Sequence, residues 1–299
     1  MSLIVAFGNP VYDDITTPLI TTGGRVLSGC STNGCLALAR LGHQTALVGT
    51  VGADYDARFR SDLDRYGIAA YVERANETGG FRLIYDARGD RTLDVLGVAA
   101  EISAVPPICA EADAIIIGPI LQETPPALVE QIAACSRAPL FLDPQGLLRR
   151  IGADGRIVHV DEGSVARLAP RCRVIKANEV ETRVLTGLDP REQPEAAVRA
   201  LRQLGCAIAI ATIAEAGSII DDGKRQYRIP AYPCEARDPT GAGDTYMAGF
   251  IHGYFSCPGD LAYAGRVGSA TASIWIEHTG PDAPIALDEV LRRVEAIGG

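Results

Sequence analysis

The sequence predicts an α/β fold in which a mainly parallel sheet is covered by helices on both faces and a smaller β element stands apart. Three observations predict it. Short, wholly apolar runs rich in β-branched residues recur along the chain, as expected of strands buried on both faces. Helical patterns closed by glycine separate these runs, the alternation of a parallel sheet. In one stretch, residues 70–98, that alternation fails and extended runs alternate with turn signals. A length of 299 residues suits one large domain carrying such an insertion.

Residues 3–7 read as the first strand, apolar and β-branched, and residues 33–41 as a helix stopped by Gly42. A strand at 45–51 and a helix at 54–66 closed by Gly67 follow. Residues 70–73, 80–85 and 91–96 are extended, separated by turns at 77–79 and 88–90. Residues 15–26, extended around Gly23-Gly24, are expected to join 70–98 in one small sheet over the mouth of a ligand site. Strands at 114–117, 140–143, 173–176 and 207–212 then alternate with helices at 126–134, 179–185 and 194–204, and a last helical pattern covers 245–255.

Composition narrows the function. The charge sum is −9, which argues against nucleic acid as a partner. No apolar run approaches the length of a bilayer span, and residues 1–7 lack the basic segment of a signal peptide. Eight cysteines include no CxxC pair and read as buried, reduced thiols of a cytoplasmic protein. The four histidines have no ligand spacing, so zinc is not expected.

The most informative run is Asp238-Pro239-Thr240-Gly241-Ala242-Gly243-Asp244, immediately before a helix. Glycines at a helix start leave backbone N–H groups open to a close ligand, and the helix dipole favours an anion there. A carboxylate in the same turn makes sense if it takes a proton from a nucleophile while the amides hold a phosphoryl group. GxGxxG would require glycine at Tyr246, and the Gly223-Lys224 pair is followed by Arg225 rather than Ser or Thr, so dinucleotide and Walker A signatures are absent. Asn178 and Glu181 sit at i and i+3 after a strand, hard oxygen ligands of the kind magnesium takes. Asp13 and Asp14 follow the first strand at a sheet edge where ligands bind in open α/β folds.

Asp238–Asp244 with Tyr246 and Phe250 resembles the C-terminal signature of the ribokinase-like, or phosphofructokinase-B, sugar kinases. Gly8-Asn9-Pro10-Val11-Tyr12-Asp13, Ser28 to Asn33, Leu41-Gly42 to Val51-Gly52-Ala53-Asp54, Asn178 to Glu181 and Thr212 to Gly217 are similar to its other segments, in the same order. Ser28, Cys30 and Ala214 depart from the family pattern, the last standing where a glycine is usual.

The resemblance covers nearly the whole chain. It implies a three-layer sandwich over residues 1–299 with a small β-sheet lid at about 15–26 and 70–98. It also implies transfer of the γ-phosphoryl group of ATP to a hydroxyl of a sugar, polyol or nucleoside. Asp244 would be the base, with Gly241, Ala242 and Gly243 as the anion turn. Asp13, Gly29 and Asn33 would hold the acceptor, and Asn178, Thr212, Gly217, Gly241 and Gly243 the nucleotide. Asn178 and Glu181 would order Mg²⁺ through water, Asp238 and Thr240 a K⁺ ion. Adenine contacts are placed near 265–273 by position, and a homodimer through the lid follows from family habit. The readings set against this one are a non-catalytic sugar- or nucleotide-binding relative and an NAD-dependent oxidoreductase.

Overall fold

Apolar runs buried on both faces build the centre of the molecule. A computed structural model of the chain describes residues 1–86 and 91–298. Among the described residues one sheet has nine strands, in the order Gln226–Ile229, Ser218–Asp221, Ile208–Thr212, Val174–Ala177, Leu140–Leu142, Ala114–Ile117, Leu3–Phe7, Gln44–Gly52 and Ala69–Ala75. From Ile208–Thr212 to Ala69–Ala75 every neighbouring pair is parallel. The hairpin Ser218–Asp221 with Gln226–Ile229 is antiparallel at the other edge.

The sheet separates two cores. Ile4, Ala6, Ile116, Ile208 and Ile210 face one of them, with the helices Cys30–Arg40, Ala242–Ser256 and Leu261–Ile276. Val5, Phe7, Ile115, Ile117, Ala209 and Ala211 face the other, against Pro126–Cys135 and Pro194–Gln203. Alternate residues of one strand thus feed opposite layers, which is why these strands carry no polar face.

A second sheet runs Val26–Ser28, Val11–Thr16, Gly80–Tyr85 and Arg91–Gly97. Its central pairing, Asp14↔Arg82 to Thr16↔Ile84, is parallel and its outer two are antiparallel. Phe81, Leu83 and Tyr85 are buried while Arg82 and Ile84 point out, the alternation legible in the sequence.

Three expectations need correction. Residues 70–73 belong to the large sheet: Ala69–Ala75 lies parallel to Gln44–Gly52, because the helix Asp56–Tyr66 makes the return crossover of a β-α-β unit and Gly67 (φ +67°) ends it. Residues 17–25 are mostly loop; the first strand of the small sheet starts at Val11, and only its end overlaps 15–26. The antiparallel ribbon Arg149–Ile151 with Ile157–His159 was not expected, although Asp154-Gly155 is a turn signal. The expected turn at 88–90 lies outside the described residues. The eight cysteines form no disulfide; five are buried, Cys234 is half-buried, and Cys135 and Cys257 are exposed.

Candidate active site

Parallel strands present their C-terminal ends along one edge, and there Asp143, Asn178 and Thr212 emerge side by side. The small sheet roofs that edge, leaving a cleft of about 1330 Å³ lined by residues of both sheets. Ligands of open α/β sheets bind at this place.

The glycine turn lies in the cleft. Gly241 (φ +82°) caps the helix Ala242–Ser256, a left-handed conformation that glycine adopts freely. The Ala242 N–H turns to the Pro239 carbonyl at 3.2 Å, whereas the N–H groups of Gly243 and Asp244 have no hydrogen-bond partner among the described residues. The anion turn therefore offers two open amides and not the three that the sequence suggests. Asp244, in the first turn, accepts from Asn33 Nδ2 at 3.0 Å. Asn33 comes from the first turn of Cys30–Arg40, so two helix N-termini converge on the carboxylate. Burial raises the Asp244 pKa, aided by the negative charge of Asp143 and opposed by Lys176, Asn33 and Cys30. A half-buried carboxylate of raised pKa is a stronger proton acceptor than one in water.

Beneath the turn is a buried ion pair. Lys176 Nζ lies 2.5 Å from Asp143 Oδ2, and each side chain is at most 3% exposed. A methyl on Gly243 would come within 2.5 Å of that Nζ, so the glycine is required for the ammonium to sit under the turn. Burial alone favours a neutral amine; Asp143, Glu181 and Asp244 outweigh it and keep Lys176 charged. The sulfur of Cys30 and the carboxylates of Asp143 and Asp244 lie within 4.8 Å of one another, with Lys176 already supplying a cation to the cluster.

One end of the cleft, where the sequence places the acceptor, lies under the small sheet. Asp13 is buried and takes the Phe81 N–H at 2.8 Å, tying two strands together. Burial pushes its pKa up to about 6, against the Phe81 and Ser28 hydrogen bonds and the Arg149 and Arg91 charges. Asp14 instead points outward to Arg82. Gly29 (φ +118°) caps Cys30–Arg40, and a Cβ there would meet the Asn9 carbonyl at 2.9 Å. Arg149 and His159, from the unexpected ribbon, and Arg91 complete this end.

The other end, where the sequence places the phosphoryl donor, lies past Lys176. Asn178 and Glu181 form a capping box: Glu181 accepts from the Asn178 backbone at 2.8 Å and side chain at 2.7 Å, while its own N–H donates to Asn178 Oδ1. Each Glu181 oxygen keeps further lone pairs. Burial and the Asp143 charge push its pKa up to about 7, against the Lys176 and Arg149 charges, and its carboxylate oxygens suit a hard divalent ion. Thr212 and Gly217 line the same end, where Ala214 holds φ +43°. Of the 265–273 stretch, Ser269, Ala272 and Ser273 reach the cleft while Gly265 packs on Ile220 and Ile229. Several atoms of Asp238 and Thr240 already have protein partners: Asp238 Oδ1 takes the Thr240 N–H, the Thr240 carbonyl takes Trp275 Nε1, and its hydroxyl meets Tyr85.

Asp143, Lys176, Arg149 and Arg91 were not singled out in the sequence. Lys176 had a signal, a lone charge closing an apolar strand, and Asp143 likewise ends one. Arg149 and Arg91 gave none, since they reach the cleft only through the ribbon and the small sheet.

The model of the pfkB family carbohydrate kinases matches residues 8–287. A nucleoside kinase of Methanothermobacter thermautotrophicus is 27% identical, over 99% of this chain and 96% of its own. A pyrophosphate-dependent kinase of the ribokinase family, solved with sulfate, shares the fold with a TM-score of 0.81 at 22% identity, over 97% of this chain and 99% of its own. Arabidopsis thaliana ribokinase, solved with ribose and ATP, superposes with a TM-score of 0.76 at 20% identity, over 98% and 99%.

Proposed function

The chain belongs to the pfkB family of carbohydrate kinases, and we propose that it transfers the γ-phosphoryl group of ATP to a hydroxyl of a small polyhydroxylated acceptor: a sugar, a polyol or a nucleoside. The observation that carries this reading is the position of Asp244, held by Asn33 beside two open amides and above the Lys176 ammonium. Asp244 takes the proton of the acceptor hydroxyl as that oxygen bonds to phosphorus and the bond to the donor's leaving phosphate breaks. The amides of Gly243 and Asp244, with Lys176 beneath, hold the charge on the moving phosphoryl group. Asp13 and Gly29 position the acceptor, and Asn33 orients the base. Asn178 and Glu181 would hold Mg²⁺ through its waters. The ion, when bound, neutralises phosphate charge.

A non-catalytic binder would have no use for a base so placed, and a hydride-transferring enzyme would have no glycine fingerprint for its dinucleotide. The engaged atoms of Asp238 and Thr240 give little support to a K⁺ site. Among the described residues no helix is long and apolar enough to cross a membrane. A cytoplasmic location and a homodimer through the outer face of the small sheet, where Ile84 is exposed, belong to the same reading. Phosphoryl transfer from ATP to a panel of sugars, polyols and nucleosides tests it. ATP hydrolysis alone, with transfer to no acceptor in the panel, refutes it.

A further inference from the structure

Arg149 is 4% exposed, yet no carboxylate of the described residues lies within 4.0 Å of its guanidinium. Its Nη2 donates to Gln145 Oε1 at 2.7 Å and its Nη1 to the Ile120 carbonyl at 3.3 Å, while Nε has no partner. Buried cations are costly unless paired. Arg91 enters the same end of the cleft, bonded to the Tyr85 hydroxyl at 3.0 Å and to no carboxylate of the described residues. His159 completes the group, its pKa brought down to about 4 by burial and then by these two arginines. Asp13, Asp143, Glu181 and Asp244 act on one or both arginines through space, but among the described residues none pairs with either guanidinium within 4.0 Å.

We infer that the acceptor carries an anionic group, a carboxylate or a phosphate, which lies against the guanidiniums of Arg149 and Arg91. A neutral hydroxyl would satisfy the open N–H of Arg149 and leave its buried positive charge without an ion pair. An anion does both, and guanidinium is shaped for it. The inference rests on the kinase reading of the cleft and narrows its acceptor to sugar acids or sugar monophosphates.

The test is turnover of matched pentose and hexose sets, each as the aldose, the aldonate and the monophosphate, by the wild type, Arg91→Gln and Arg149→Gln. The aldonate and monophosphate arms separate the two sources of charge. An anionic acceptor is expected to exceed its neutral counterpart in kcat/KM. Each variant should lower that ratio by about 10–100-fold, the range of a hydrogen bond to a charged group. A neutral acceptor as best substrate, or equal losses for neutral and anionic acceptors, overturns the inference while leaving the kinase reading in place. No turnover of any acceptor in these sets overturns the inference, and the kinase reading falls only if polyols and nucleosides fail as well. Arg91 is exposed, so Arg91→Gln decides the matter should Arg149→Gln fail to fold.

Discussion

Replacing Asp244 with Asn separates the two things this carboxylate does. The variant keeps the side-chain shape, and its amide oxygen can still take the Asn33 N–H that now sits 3.0 Å from Oδ2. It cannot accept a proton. A positioned general base contributes about 10²–10⁴-fold, or about 3–5 kcal/mol of barrier. We therefore expect kcat to fall by about that factor, with acceptor and donor affinities within a few-fold of the wild type.

Stability should move the other way. The charge of Asp244 near a helix N-terminus would by itself favour the fold, and the sequence suggests a slight loss on removing it. Burial and Asp143 nevertheless raise its pKa above the unfolded value. The folded chain then holds the proton more tightly than the unfolded one, and this contribution to stability is lost as pH rises through the folded pKa. Asp244→Asn escapes that loss, so it should match or exceed the wild type in melting temperature at pH 7, with the gap closing toward acid pH. Steady-state kinetics, calorimetric binding of each substrate and thermal melts at several pH values supply the comparison. A variant keeping more than a tenth of wild-type kcat, with chemistry rate-limiting, would refute the base assignment.

Three further outcomes are expected. Glu181→Gln should raise the magnesium concentration needed for half-maximal rate without unfolding the protein; an unchanged magnesium titration removes Glu181 from the metal site. Asp13→Ala should raise the acceptor KM and spare the ATP KM, whereas Asp14→Ala, paired outward with Arg82, should be mild. The wild-type acceptor KM should also rise as pH falls through about 6, where Asp13 gains its proton, and equal losses in the two variants would show the wrong acid was chosen. Ala214→Gly should stabilise the protein by about 0.5–1 kcal/mol in denaturant unfolding, since the left-handed backbone costs an alanine about 1–2 kcal/mol and the freer unfolded glycine returns part of it. A destabilised variant would mean that φ +43° carries no strain at this position.

The parallel strands and their helices were legible because burial on both faces forces continuous apolar runs, and glycine closes the helices Asp56–Tyr66 and Glu179–Thr186 where expected. The two C-terminal helices Leu261–Ile276 and Leu287–Gly298 and the edge hairpin were not separated in the sequence. The hairpin strands, Ser218–Asp221 and Gln226–Ile229, are only four residues long, and their period is weak. Residues 70–73 went to the wrong sheet because an edge strand, half solvated, looks the same in either.

The sequence by itself determined the Asp238–Asp244 turn, which carries the proposed base, and the Asn178–Glu181 box, since each is a local arrangement of residues within a single turn. Only the tertiary structure decided which residues surround them. Lys176 and Asp143 meet because adjacent parallel strands end at the same edge. Asn33 reaches Asp244 across 211 positions of chain because two helices share one side of the sheet. Arg149 and Arg91 face the acceptor end because a ribbon and a second sheet fold over it. Contacts of that kind depend on how the layers pack, and no period or spacing along the chain encodes them.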